Sequence, residues 1–194
     1  MKVEEVLAEF EKAGALLKGH FILSSGRHSD TFLQKALVFQ YPQRTAKLCK
    51  ALAQLIQTKV KKRIDAVVSP AVGGIIPGYE TARHLKLPAM FVERQDGAFQ
   101  LRRNFHLDDS MNVVIIEDVV STGLSSRECI EAVRATGANV LALACLIDRS
   151  GGDAKFDVPF IPLARLKVPS WEPDKLPKHL KGIPAVKPGS RGLK

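Results

Sequence analysis

Apolar residues open the chain at helical spacing. Val3, Val6, Leu7 and Phe10 recur every three or four positions, which predicts a short amphipathic helix. Gly14 and Gly19 interrupt that pattern before Phe21-Ile22-Leu23-Ser24-Ser25-Gly26-Arg27, a strand running into a turn. A second helix is predicted over residues 44–62, with Leu48, Leu52, Leu55, Ile56 and Val60 on one face. From there apolar blocks alternate with amphipathic stretches. Ile64-Asp65-Ala66-Val67-Val68, Ala89-Met90-Phe91-Val92, Asn112-Val113-Val114-Ile115-Ile116 and residues 140–147 read as buried strands, with another over 160–163. The intervening helices end near His84, with Pro77 in the first turn, and run over 125–135, stopped by Gly137.

Strands without polar alternation, separated by helices, predict an α/β fold: a central parallel sheet flanked by helices on both faces. Right-handed crossovers place every strand's C-terminal end along one edge, where open α/β sheets bind ligands. The last part of the chain differs. From Phe156 onward it carries seven of the eleven prolines, so it reads as a last strand and an extended arm rather than a second core. The expected organisation is a single domain with an N-terminal segment (1–40), an α/β core (41–155) and a proline-rich C-terminal arm (156–194).

Charge and composition narrow the chemistry. The 194 residues hold 29 Lys plus Arg against 20 Asp plus Glu, a net +9, and from Ser150 onward nine basic side chains face four acidic ones. Such an excess attracts nucleic acid, a membrane surface or an anionic small molecule. No arginine-rich run, zinc-finger spacing or aromatic-interleaved motif accompanies it, which favours a solvated basic surface or an anionic substrate over nucleic acid. The longest apolar run, 140–147, is far short of the roughly 20 residues of a membrane span. Met1-Lys2-Val3-Glu4-Glu5 lacks the apolar core of a secretory signal. Cys49, Cys129 and Cys145 are too few and scattered for a disulfide framework or a four-cysteine zinc site, so a cytoplasmic protein with packed thiols is expected.

Four segments leave strand ends on the binding edge: 69–74, 93–107, 117–126 and 148–152. The third is the most informative. Val113-Val114-Ile115-Ile116-Glu117-Asp118-Val119-Val120-Ser121-Thr122-Gly123-Leu124-Ser125 places two carboxylates ahead of a small, hydroxyl-rich turn that enters a helix. Amides of such a turn and of a helix N-terminus cradle an anion, Gly123 permits close approach, and paired acids suit the vicinal hydroxyls of a ribose. A sugar phosphate fits. The alternative is that Glu117 and Asp118 merely end a strand while Ser125 caps a helix. Neither GxxxxGK[ST] nor GxGxxG occurs.

Those thirteen residues resemble the signature of type I phosphoribosyltransferases, which bind phosphoribosyl pyrophosphate. Gly19-His20-Phe21-Ile22-Leu23-Ser24-Ser25-Gly26-Arg27-His28-Ser29, Phe91-Val92-Glu93-Arg94, Leu146-Ile147-Asp148-Arg149-Ser150-Gly151-Gly152 and Lys187-Pro188-Gly189-Ser190-Arg191 are together similar to the bacterial orotate phosphoribosyltransferases, almost end to end. The resemblance implies a type I phosphoribosyltransferase fold with a small N-terminal hood. It also implies displacement of pyrophosphate by orotate to give orotidine 5′-monophosphate, with magnesium held mainly through substrate oxygens. The family site is carried by a homodimer, and neither nucleic acid nor membrane is an expected partner.

Residue by residue, the resemblance assigns Glu117 and Asp118 to the ribose hydroxyls, and Val119, Val120, Ser121, Thr122, Gly123, Leu124 and Ser125 to the 5-phosphate. Ser121 and Arg149 should meet orotate, the guanidinium taking its carboxylate. Ser24, Ser25, Gly26 and Arg27, with Phe32, resemble the hood over orotate; a plain turn followed by a core aromatic is the alternative. Gly73 and Gly74 resemble the turn that meets pyrophosphate with its backbone, although a helix-entry turn would look alike. Arg94 resembles the arginine on pyrophosphate. Residues 95–107 resemble a mobile loop that crosses to the neighbouring protomer's site, with Arg102 and Arg103 as catalytic cations; solvated hairpin charges are the competing account. Three departures stand out. Gln95 and Ala98 occupy expected loop-lysine positions, Gly73 and Ser24 replace lysines found in other branches, and residues 174–182 lack the paired cysteines of some relatives. The rivals are a phosphoribosyltransferase for another base, and a regulatory protein that binds nucleic acid through its basic surface.

Overall fold

The structure is a computed structural model that describes residues 1–23 and 25–188. In chain order, α1 (Val3–Lys12) leads into a two-stranded antiparallel hairpin, β1 (Leu16–Ile22) and β2 (His28–Leu33), then the short α2 (Ala36–Phe39) and the long α3 (Pro42–Lys59). The remainder alternates: β3 (Ala66–Pro70), α4 (Ile75–Leu85), β4 (Ala89–Gln95), β5 (Ala98–Leu101), β6 (Asn112–Val120), α5 (Leu124–Arg134), β7 (Asn139–Asp148) and β8 (Phe160–Arg165). A 3₁₀ turn at Lys178–Leu180 lies in the arm.

Six strands form one sheet in the order β5-β4-β3-β6-β7-β8. All neighbours are parallel except β5, which folds back antiparallel on β4. The strand centre is buried on both faces, as the lack of polar alternation predicted. Side chains of β6 point alternately to each layer, as a two-residue repeat demands. Val114 and Ile116 pack with α3 and α4 residues such as Leu52 and Ala82; Val113 and Ile115 pack with Cys129, Ile130 and Val133 of α5. All three cysteines are free and buried.

Several elements differ from the sequence reading, each for a visible reason. The hydrophobic pattern hides β2, because its inward positions include Ser29 and Thr31, so burial alternates while hydropathy does not. Four-residue α2 is too short for any period to register. Helix α3 starts earlier, with Pro42 in its first turn, and stops at Lys59 because Val60 turns extended ahead of Lys61-Lys62-Arg63. Strand β6 continues four residues past Ile116. Its pairing with β7 runs on to Val120 opposite Asp148, which carries Glu117 and Asp118 within the strand. Residues 95–107 contain β5, whose Phe99 is buried and lies 4.3 Å beneath the Arg94 guanidinium.

Beyond β8 the chain crosses the β1–β2 hairpin. His28 and Trp171 exchange backbone hydrogen bonds at 2.8 Å, and Val186 donates to His20 while accepting from Ile22, also at 2.8 Å. Arg27 adds bonds from Nε to Ser170 Oγ (2.9 Å) and from Nη2 to the Ser170 carbonyl (2.7 Å), and it pairs with Glu172. Residues 189–191, part of the last resembling motif, lie outside the described residues.

Ile115 is fully buried at the centre of β6. Ile115→Ala should lower unfolding free energy by about 2–5 kcal/mol, read from a urea midpoint that falls at unchanged slope.

Candidate active site

The bend after β6 is built for close approach. Gly123 precedes α5 with φ +77°, a left-handed conformation that glycine adopts without penalty, and no side chain caps the helix. Ser125 lies inside α5, so it is not the cap. The first amides of α5 therefore have no intrahelical partner, and among them only Leu124 N makes a long 3.4 Å contact, to Thr122 Oγ1. These amides open on a cavity of about 400 Å³ lined by Lys35 and residues 117–126. Val119 and Val120 line it as strand residues; the bend proper is Ser121, Thr122 and Gly123.

Two acids form its floor. Asp118 is fully buried and Glu117 nearly so. The Val119 amide donates to Asp118 Oδ1 at 2.5 Å, and the Asp118 amide to Glu117 Oε1 at 3.2 Å. Lys35, from the link between β2 and α2, places Nζ 2.5 Å from Asp118 Oδ2. Burial, and then the neighbouring Asp118 carboxylate, push Glu117 up to about 8, while the Lys35 ammonium opposes the rise. One proton is thus retained beside an ion pair. The turn after β3 presses against the same acids. A Cβ at Gly74 would stand 2.7 Å from the Pro70 carbonyl oxygen, so that position requires glycine for space, while one at Gly73 would stand 2.2 Å from Asp118 Oδ2 and would have to displace that side chain.

Arg149 follows β7 directly beside the bend, its amide donating to the Val120 carbonyl at 2.7 Å. The side chain is half-buried, and burial alone pulls its pKa down; among the described residues it has no carboxylate partner within salt-bridge distance. The loop behind it is pinned. Asp148, fully buried, accepts from the Ser150 amide (2.9 Å) and hydroxyl (2.6 Å), and Ser150 Oγ accepts in turn from Gly152 and Ala154.

The other predicted residues lie apart from this cavity's lining. Arg94 pairs with Glu128 and donates to the Gly97 carbonyl at 2.6 Å. Arg103 forks onto Glu93 at 2.9 and 3.0 Å, with Arg102 at 3.4 Å. Arg27 binds the arm, Phe32 packs beside Phe21 with ring centroids 5.7 Å apart, and the exposed Ser25–Gly26 turn links β1 and β2. Ser24 lies outside the described residues. Among the described residues, the wall residues given no role from the sequence are Ser126, next to the assigned run, and Lys35. A single lysine between Gln34 and Ala36 belongs to no motif, and only the fold brings it to Asp118.

Comparison with known proteins identifies the lineage. Residues 38–160 match the phosphoribosyl transferase domain family. Over 193 residues, and the full length of both chains, the sequence is 68% identical to orotate phosphoribosyltransferase of Parvibaculum lavamentivorans. The chain belongs to the orotate phosphoribosyltransferase family. The Maricaulis maris member is 58% identical over the same span. Among solved structures, orotate phosphoribosyltransferase from Aeropyrum pernix superposes with a TM-score of 0.72 at 27% identity, covering 86% of this chain and 94% of that one. The type I phosphoribosyltransferase fold expected from the sequence is the fold observed.

Because the folded carboxyl of Glu117 titrates above its unfolded value near 4.3, protonation favours the fold. That contribution is present at low pH and fades as pH rises toward about 8. Glu117→Gln removes it. The wild type should lose stability relative to the variant between pH 5 and 8, narrowing or reversing their melting-temperature gap by roughly 3 °C or more; parallel curves would show that Glu117 does not hold the proton.

Proposed function

We propose that this chain performs the reaction for which its family is named, transfer of the 5-phosphoribosyl group of phosphoribosyl pyrophosphate to orotate. The products are orotidine 5′-monophosphate and pyrophosphate, a step of pyrimidine synthesis. The observation that carries the residue assignment is the junction at the ends of β6 and β7. A buried acid pair, an open helix N-terminus and an unpaired, half-buried arginine there share one edge.

The 5-phosphate is held by the amides and hydroxyls of Ser121, Thr122, Gly123, Leu124 and Ser125, with Val119 and Val120 forming the wall. Glu117 and Asp118 accept from the ribose hydroxyls. As the bond to pyrophosphate stretches ahead of attack, positive charge grows on the ribose, and a fixed carboxylate beneath it is worth most in that low-dielectric floor. No protein nucleophile is needed. The cysteines could not serve as one, since burial pushes Cys49 up to about 12 and raises Cys129 and Cys145 as well. Arg149 suits the orotate carboxylate, because a guanidinium fork matches that planar anion through two hydrogen bonds. Ser121, adjacent across the strand ends, reaches the same base, and Ser25, Gly26, Arg27 and Phe32 belong to the hood above it. Gly73 and Gly74 present backbone to pyrophosphate.

Magnesium fits this site as a companion of the substrate. Among the described residues no group of three or more His, Cys, Asp or Glu side chains gathers as a metal cage, and Asp118 is already paired with Lys35. An ion carried by pyrophosphate and ribose oxygens would neutralise charge on the leaving group.

Two features support a homodimer. Val72 (83% exposed), in the turn before α4, and Ile76 and Tyr79 (65% exposed), on the first turns of α4, form an apolar patch rimming grooves whose walls include the buried Phe39. The β4–β5 hairpin holds Arg94, Arg102 and Arg103 away from their own cavity, which suits service to a neighbouring copy. No helix among the described residues is long and apolar enough to cross a membrane, and the free buried thiols suit the cytoplasm.

Purified protein with magnesium and both substrates should consume orotate, followed by its absorbance. Arg149→Ala should raise KM for orotate roughly 10- to 100-fold, the worth of a charge-assisted pair, with a much smaller effect on phosphoribosyl pyrophosphate; equal effects would move Arg149 out of the base pocket. Tyr79→Glu should convert dimer to monomer in sedimentation velocity, and an unchanged sedimentation coefficient would place the interface elsewhere.

A further inference from the structure

Lys35 stands outside every motif that led to the site. It nevertheless lies at the meeting point of two cavities, the acid-floored one and an adjoining groove of about 330 Å³ walled by Phe39, Val72 and Ile76. Its side chain is 40% exposed, whereas its partner Asp118 is fully buried, so the ammonium sits at the mouth of the pocket. Of the other named cations, Arg94 is paired with Glu128, Arg102 and Arg103 with Glu93, and Arg27 with the arm, which leaves Arg149 on the base side and Lys35 on the ribose side. The charged Asp118 carboxylate without a local cation would repel a substrate bearing a phosphate and a pyrophosphate.

Gly73 ties this lysine to the pyrophosphate side. A Cβ there would lie 2.2 Å from Asp118 Oδ2 and 3.0 Å from Lys35 Nζ, so any side chain at position 73 and the Lys35–Asp118 contact compete for the same space. The bare backbone at 73 leaves the ammonium room to reach past Asp118.

We propose that Lys35 is a substrate-binding residue, the cation that the segment after β2 supplies to the pyrophosphate end of the ribose pocket in the space kept open by Gly73. Before substrate arrives, it neutralises Asp118. Ribose hydroxyls then replace it as donors to that carboxylate, and the ammonium transfers to a pyrophosphate oxygen. Charge is conserved throughout, since the cation exchanges one anionic partner for another inside the same pocket. The inference rests on the orotate phosphoribosyltransferase reading of the site.

The test compares wild type, Lys35→Gln and Lys35→Arg in steady-state kinetics, alongside the thermal shift that magnesium and phosphoribosyl pyrophosphate produce without orotate. Lys35→Gln should raise KM for phosphoribosyl pyrophosphate roughly 10- to 100-fold and shrink the shift, leaving KM for orotate within about twofold. Lys35→Arg should recover most of both. An unchanged KM and shift, or equal increases for both substrates, would make Lys35 a structural partner of Asp118 and overturn the proposal. A wild-type protein that never consumes orotate would instead sink the reading beneath it.

Discussion

Two adjacent carboxylates at the buried end of a strand constrain everything around them. Residues 117 and 118 face opposite sides of β6, Asp118 fully buried and Glu117 nearly so. Such a pair persists only if one member keeps a proton or each acquires a partner. This protein uses both remedies: burial holds Glu117 protonated well above the carboxylate range, and Lys35 contacts Asp118. The cost is accepted at a strand that the core could have filled with another Val-Val. That choice is intelligible only if something polar enters from the open edge.

The architecture separates what must be rigid from what can be exchanged. Strand pairing fixes Glu117, Asp118 and Arg149, since β6 and β7 stay hydrogen-bonded through Val120 and Asp148, and Asp148 then anchors the loop that carries Arg149. These groups need little reorganisation when a ligand arrives. The cations outside the sheet centre are held differently. Arg94, Arg102 and Arg103 rest on partly exposed glutamates at the surface, where solvent screens an ion pair and leaves it weak. A polyanionic substrate can outbid such partners.

How far the sequence reveals this depends on whether an element is specified locally. The parallel strands of the sheet and α3 to α5 are legible because hydrophobic runs and helical spacing record burial directly, and the thirteen residues of β6 and its bend carry chemistry in contiguous order. Elsewhere the pattern is silent for physical reasons. Ser29 and Thr31 are buried by hydrogen bonding, Ser29 donating to the Pro169 carbonyl at 2.8 Å, so β2 shows no apolar alternation. The extent of β6 is set by β7, not by its own residues, which is why the two acids fall inside the strand. Prolines announce an extended arm but not the surface it crosses. Lys35 is the extreme case: its role exists only through a contact 83 positions away.

The arm gives that contact its footing. Residues 169–186 clamp the β1–β2 hairpin through backbone bonds at both ends, and inside the clamp His20 bridges the Ile183 carbonyl at 2.7 Å and His28 Nδ1 at 2.6 Å. Lys35 lies two residues beyond β2, so the register of that hairpin decides where its ammonium falls. A one-residue slip would turn inward-facing Ser29, Thr31 and Leu33 outward, and with them the strand end from which Lys35 departs. The proline-rich tail, remote in sequence and poor in apolar packing, thereby contributes to the electrostatics of a pocket it does not line. Fixed φ angles suit it to that task, because a stiff strap loses less entropy on docking than a flexible one would.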